Sequence, residues 1–177
     1  YHEQTEPNDS LSWLILAGRG WGKTGTGSET MKKWATADIP GHYAVIAKND
    51  REVRNVCFEA KRAGLLGVIP EEDYRTRNAN GYNKSSGDTK LTLKNGSVIR
   101  AFSAENPDNL RGYAFDGAWC DEFAAWPKKV AQEMWDNLMF CLREARHPRV
   151  VITTTPKNVE HVRTMVGRAK VEAGWVI

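Results

Sequence analysis

No apolar run in this chain approaches the roughly eighteen residues needed to cross a bilayer, and the first residues are polar, so neither a membrane span nor a secretory signal is expected. The reading is an intracellular protein with no membrane partner. Cysteine is scarce: Cys57, Cys120 and Cys141 are an odd, widely spaced set without a C-x-x-C pair. That excludes a disulfide framework and a cysteine zinc site, and the three read as small buried apolar residues. Internal repeats and low-complexity tracts are absent. Neither sign of charge dominates, since 25 Lys and Arg face 22 Asp and Glu for a net charge of +3. So small an excess, spread along the chain, does not identify a nucleic-acid binder. The local basic clusters, Lys32-Lys33, Lys61-Arg62, Arg75 with Arg77, Lys128-Lys129 and the group Arg163, Arg168 and Lys170, read as solvated faces.

What is present is an alternation of strand-like and helix-like segments over 177 residues, the pattern of a single α/β domain. Trp13–Ala17, Tyr43–Ala47 and Arg149–Thr153 are short apolar or β-branched runs that suit central parallel strands. Phe115–Cys120 is a weaker one. Asn49-Asp50 can cap a helix carrying Val53, Val56, Cys57 and Ala60 at helical spacing, and a helix after Pro127 places Val130, Met134, Leu138 and Leu142 on one stripe. Residues 68–88, rich in Gly, Pro, Asn and Ser, read as an exposed loop. Asn95-Gly96 between Leu91–Lys94 and Ser97–Arg100 predicts a β-hairpin near residues 90–102 closed by a type I′ turn, in which both central residues need positive φ.

One segment carries chemistry by itself. After the first strand comes Ala17-Gly18-Arg19-Gly20-Trp21-Gly22-Lys23-Thr24, followed by a helix-compatible stretch over Ser28–Ala37. Alternate glycines let the backbone curl so that successive N–H groups point into one concavity, which suits a phosphate. Lys23 would set a point charge between the β- and γ-phosphates of ATP, and the Thr24 hydroxyl would occupy a coordination site on Mg²⁺. The motif G-x-x-x-x-G-K-S/T asks for Gly where this chain has Ala17.

Asp121-Glu122 ends the apolar segment about a hundred residues later. In an open α/β sheet, acids at a strand's carboxyl end can share a crevice with such a loop. Asp121 would hold Mg²⁺ through its waters, and Glu122 would orient and deprotonate the attacking water. Thr153, Thr154 and Thr155 close another strand, where their hydroxyls could reach the γ-phosphate or the water, though threonines are also simply good strand residues. Two arginines could meet the charge that builds on the γ-phosphoryl oxygens: Arg19 within its own loop, and Arg111 toward a neighbouring subunit.

The combination W-L-I-L-A-G-R-G-W-G-K-T, F-S-A-E-N-P-D-N-L-R-G, A-W-C-D-E-F-A-A-W and V-V-I-T-T-T-P, in that order, resembles the ATPase domain of the large terminase subunit of tailed bacteriophages. The Gly-Arg-Gly-x-Gly-Lys-Thr loop is usual there. The resemblance implies a P-loop NTPase fold of the ASCE type, with a mostly parallel central sheet flanked by helices, and a motor that spends ATP to pump double-stranded DNA into an empty capsid. It implies a homo-oligomeric ring, a pentamer, on the portal protein, a small terminase subunit as further partner, and the host cytoplasm as location; the isolated domain could equally be a monomer. It assigns energy coupling to Thr153–Thr155, a trans-acting role to Arg111 and adenine reading to Gln4. Full-length relatives resemble an ATPase followed by a metal-dependent nuclease. No nuclease part follows in these 177 residues, so no DNA cleavage by them is expected.

Another nucleic-acid translocase or helicase would share the loop and the acid pair. A scaffold that binds ATP without turnover is disfavoured by Glu122. A GTPase is disfavoured because no apolar strand leads into Asp38 of Asp38-Ile39-Pro40-Gly41 and no guanine-reading Asp follows Asn83-Lys84.

Overall fold

Eight strands form one sheet in the order β3-β4-β5-β2-β6-β7-β1-β8. They are β1 (Ser12–Leu16), β2 (His42–Ala47), β3 (Tyr82–Asn83), β4 (Lys90–Thr92), β5 (Val98–Ser103), β6 (Gly117–Cys120), β7 (Arg149–Thr154) and β8 (Trp175–Val176). From β5 to β8 in that order every neighbouring pair is parallel, while β3 and β4 add an antiparallel edge. The structure is a computed structural model and describes residues 12–75, 80–85, 87–172 and 174–177. The helices are α1 (Lys23–Ala35), α2 (Asp50–Glu52), α3 (Leu65–Val68), α4 (Glu71–Tyr74), α5 (Ala131–Leu142) and α6 (Glu160–Val171). Among the described residues, no helix is long and apolar enough to cross a membrane.

The central strands are apolar on both faces because both faces are covered. Along β1, β2, β6 and β7, Leu14, Ala44, Ile46, Ala118, Cys120, Val150 and Ile152 join a core under α5 and α6. Their alternates Trp13, Ile15, Tyr43, Val45, Trp119 and Val151 join a second core under α1 and the segment 53–69. This is the two-residue period of a strand at work. Helix α5 buries Met134, Trp135, Leu138, Cys141 and Leu142, each large apolar side chain contributing about 1.5–3 kcal/mol. All three cysteines are free and buried.

Four local expectations are corrected. Helix α1 starts at Lys23, five residues before the stretch the sequence suggested. Asn49 does cap the next helix, its Oδ1 accepting from the Glu52 N–H at 2.8 Å. After one α-turn, however, the chain widens into a π-helix over Val53–Phe58. A wider turn brings residues four and five apart onto one face, so Val53, Cys57 and Phe58 are buried while Val56 is 38% exposed. Part of the expected loop 68–88 is ordered, for α4 lies there and β3 pairs with β4. The hairpin β4–β5 exists, but its turn is not type I′. Gly96 has φ 98 and Asn95 is not among the residues with positive φ. The Gly96 N–H donates to the Leu93 carbonyl and the Leu93 N–H to the Ser97 carbonyl. That is a type I turn closed by a glycine bulge, which needs only one residue in the left-handed region.

Gly27 shows how tightly α1 lies on the sheet. A Cβ there would come within 2.2 Å of the Trp119 ring, whereas one at Gly167, inside α6, would meet nothing within 4 Å. Replacing an interior helical glycine by alanine ordinarily gains about 1 kcal/mol. Gly167→Ala is therefore expected to raise stability by about 0.5–1 kcal/mol. Gly27→Ala is expected to lower it by about 1–3 kcal/mol through overpacking. Urea unfolding of the two variants checks the opposite signs.

Candidate nucleotide site

The loop between β1 and α1 leaves the sheet at the carboxyl ends of the parallel strands. The Ala17 N–H donates to the Thr154 carbonyl at 3.2 Å, which continues the β1–β7 ladder into the loop. Gly20 and Gly22 then take φ of 80 and 95, a conformation that costs other residues about 1–2 kcal/mol. A Cβ on Gly18 or Gly20 would meet nothing, so the bare backbone is not explained by packing and leaves room for a ligand to approach. Lys23 Nζ donates to the carbonyls of Ala17 and Gly18, both at 2.9 Å, using two of its three donors to hold the loop closed. Trp21 is half-buried against the core on the α1 face and anchors the loop.

A cavity of about 610 Å³ opens above the loop, walled by Arg19, Gly20, Gly22, Lys23, Thr24 and Gly25 on one side and by Glu122, Ala125, Thr155 and Lys157 on the other. Glu52 and Ala63 complete it. Glu52 and Lys157 escaped sequence reasoning. Lys157 lies two residues beyond the threonine run, so following that strand end past Pro156 would have found it; Glu52 had no motif around it. Gly18, Trp21, Asp121, Thr153 and Thr154 are not among the walls, and neither is Arg111. That arginine is exposed, 2.9 Å from Asp108 and 3.8 Å from Glu133. Gln4 lies outside the described residues.

The two acids divide sharply. Asp121 is 7% exposed, and burial is the main cause that pushes its carboxyl up to about 6, with Glu122 adding to the rise and hydrogen bonds from Thr153 and Cys57 opposing it. Burial also keeps the Cys57 thiol protonated, so it is the donor in that pair. Glu122 sits two residues beyond the end of β6 and has φ 41, ψ 52, the left-handed region; it is the one non-glycine residue with positive φ among those described. In an extended strand Asp121 and Glu122 would face opposite sides of the sheet. The left-handed turn ends that alternation and places Glu122 in the cavity wall, with its Oε1 accepting from the Thr155 N–H at 3.3 Å.

The threonines tie this corner together. Thr153 Oγ1 accepts from the Trp119 indole at 2.9 Å and donates to Asp121 Oδ1 at 2.8 Å. Thr154 Oγ1 accepts from the Ala124 N–H at 2.8 Å. From the other side of the corner, the Trp126 indole donates to the Asp121 carbonyl at 3.1 Å, and His161 Nε2 lies 3.0 Å from the Phe123 carbonyl. Burial lowers the His161 pKa, which suits a neutral ring donating that bond.

The cavity's groups would suit a magnesium-chelated triphosphate: a glycine loop for phosphates, two ammonium groups on Lys23 and Lys157, and oxygen donors on Thr24 and Glu122, with the Asp121 carboxyl buried behind that wall. Among the described residues no three His, Cys, Asp or Glu cluster as a metal cage. Mg²⁺ does not require one, since it is commonly held by one or two protein oxygens together with substrate phosphates.

Comparison with known proteins agrees with the geometry. A family model described as the terminase large subunit, T4likevirus-type, N-terminal, matches residues 14–173. The fold resembles the large terminase of the thermophilic bacteriophage D6E in complex with ADP, with a TM-score of 0.59 and 17% identity, covering 84% of this chain and 34% of that one. The same protein in complex with ATP-gamma-S gives a TM-score of 0.58 at 17% identity, covering 84% and 33%. The large terminase ATPase domain of Thermus phage P74-26 gives 0.54 at 21% identity, covering 86% and 62%. The sheet has the P-loop NTPase arrangement, with β7 inserted between the loop-bearing β1 and the acid-bearing β6. The chain spans about a third of the length of the D6E protein.

Two outcomes follow from the buried acid and the strained one. A carboxyl whose folded pKa is raised holds its proton between pH 4 and 6 while the unfolded chain has lost it. Its favourable contribution is thus present at low pH and lost as pH rises through about 6. In magnesium-free buffer Asp121→Asn is expected to exceed the wild type in stability at pH 8, with the gap closing toward pH 4, read by urea unfolding across pH. At position 122, glycine is expected to give a fold about 1 kcal/mol more stable than alanine, since only alanine bears the cost of positive φ; thermal unfolding compares the two.

Proposed function

The chain belongs to the terminase large-subunit family, matching its T4-like-virus type N-terminal part, and from that premise we propose that it hydrolyses ATP to drive double-stranded DNA into a procapsid. The observation that carries this reading is the cavity that Lys23 and Thr24 share with Glu122. Phosphate binding and water activation are then performed in one place, as the reaction requires. The ADP and ATP-gamma-S complexes of the D6E large terminase support it.

In this mechanism the amides of Gly18 to Gly22 and the positive end of α1 bind the β-phosphate. Lys23 exchanges its bonds to the Ala17 and Gly18 carbonyls for phosphate oxygens. Thr24, and Asp121 through water, would hold Mg²⁺, which would supply charge neutralisation on the phosphates. Glu122, exposed to the cavity, orients the attacking water and takes its proton. Arg19, in the same wall, stabilises charge on the transferring phosphoryl group, and Arg111, outside it, does so for a neighbouring subunit in a ring. Thr153, Thr154 and Thr155 contact the acid corner directly, so a change of charge at Glu122 is felt along β7. We assign them the coupling of hydrolysis to DNA movement. The portal protein and a small terminase subunit are the partners of such a motor, which works in the host cytoplasm.

Lys23→Ala is expected to abolish ATP binding, whereas Glu122→Ala keeps binding within a few-fold and loses turnover by about 10²–10⁴, the usual worth of a general base. Nucleotide titration and phosphate release, with and without DNA, separate the two roles; equal loss of affinity in both variants refutes the division. Arg111→Ala subunits mixed with Glu122→Ala subunits are expected to regain turnover if the arginine acts in trans, because each variant supplies what the other lacks.

A further inference from the structure

Trp119 belongs to the core under α1 and has been given no role of its own in the site. It is fully buried in the middle of the molecule. Its ring lies where α1 crosses the sheet, so close to Gly27 that no side chain fits between them. The strand register pairs Trp119 with Val151 and Cys120 with Ile152. Thr153 is thus the diagonal neighbour of Trp119 on the same sheet face, within reach of an aromatic side chain.

The chemistry of the two groups sets a direction. An indole nitrogen can only donate, and a threonine hydroxyl has one proton to give. With the Trp119 N–H directed at Thr153 Oγ1 from 2.9 Å, the hydroxyl must accept there and send its own proton elsewhere. The acceptors within reach are Asp121 Oδ1 at 2.8 Å and the Cys120 carbonyl at 3.4 Å. The carboxylate is nearer, and a charged acceptor makes the stronger bond. We propose that Trp119 is a positioning residue of the nucleotide site: wedged against the Gly27 turn of α1, it fixes the direction of the Thr153 hydroxyl and through it holds the Asp121 carboxylate by one oxygen. Helix α1 also carries Lys23 and Thr24 at its start. The relay therefore keeps the phosphate-binding side of the cavity and the metal-binding acid in one alignment, which neither the loop nor β6 achieves alone. This rests on the ATPase reading for its consequence in turnover, but the hydrogen-bond relay itself does not.

A purely structural Trp119 would only fill space, and the test separates the two. In the nucleotide-free protein, the Trp119 indole resonance in a ¹H–¹⁵N spectrum, assigned by its loss in Trp119→Phe, reports the relay directly. Thr153→Val and Asp121→Ala are both expected to move it, although the Asp121 hydrogen bond is to Thr153 and not to the indole; a resonance unmoved in either variant overturns the relay. In turnover, Trp119→Phe and Thr153→Val are each expected to lower kcat about 10–100-fold, as for loss of an outer-shell partner, with ATP affinity within about threefold. Thr153→Ser should recover most of what Thr153→Val loses, and the double variant should lose no more than either single one. Turnover of Trp119→Phe at the wild-type rate, or losses that multiply in the double variant, overturns the proposal. If the wild type binds no nucleotide, the ATPase reading fails on its own and the indole resonance still decides the relay.

Discussion

The parallel ladder β6–β7–β1 is the constraint on which the site depends. Because these three strands run the same way, with β1 and β7 ending level at Leu16 and Thr154 and β6 ending two residues short of them at Cys120, opposite Ile152, three chain segments far apart in sequence leave the sheet at one edge. A glycine loop, an acid pair and a threonine run are thus delivered to one place by backbone hydrogen bonds, before any side chain is considered. Covering both faces with helices makes such a sheet affordable in water, and the two cores divide the strand residues by parity so cleanly that Trp119, Asp121 and Thr153 share a face.

At that edge, local strain and hydrogen bonding take over. The left-handed turn at Glu122 breaks strand alternation, so one acid enters the cavity wall while the other remains buried behind it. Strain of about 1–2 kcal/mol at a single residue is held by its neighbours: the Thr155 N–H on its carboxylate and the Thr154 hydroxyl on the Ala124 N–H. The same threonines that any strand would welcome for their β-branching are here the hydrogen-bonding partners of the acid corner. Asp121, desolvated and held by Thr153 and Cys57, carries a cost in the free protein that a nearby cation would relieve. This is the opposite of a surface carboxylate, whose water would have to be stripped first.

Much of this was readable from residues. The curl of the loop was announced by its alternate glycines before Lys23, and the Asn49 cap and the buried cysteines follow from side-chain chemistry that acts within one turn or one strand. Expectations failed where a local signal admits two answers. Asn95-Gly96 fits either a type I′ turn or a type I turn with a bulge, and the hydrogen-bond pairing of Leu93 with Ser97 chose the second. The spacing of Val53, Val56 and Cys57 assumed 3.6 residues per turn, and a π-helix, whose sequence signature is weak, moved Phe58 inward in place of Val56. The polar stretch 68–88 concealed β3 because a two-residue edge strand has no periodicity to detect.

By itself the sequence determined the chemistry: which segments can cradle a phosphate, which carboxylates and hydroxyls are available, and the α/β class, because these rest on residue type and short-range spacing. Only the tertiary structure decided which of them meet. It put Glu122 in the cavity and Asp121 behind it, turned Trp21 into an anchor, left Arg111 among Asp108 and Glu133 on the surface, and added Glu52 and Lys157 to the walls. The physical reason is that spacing along the chain sets a side chain's face within its own element, whereas its neighbours are set by strand order and register, which arise from pairing between elements tens of residues apart.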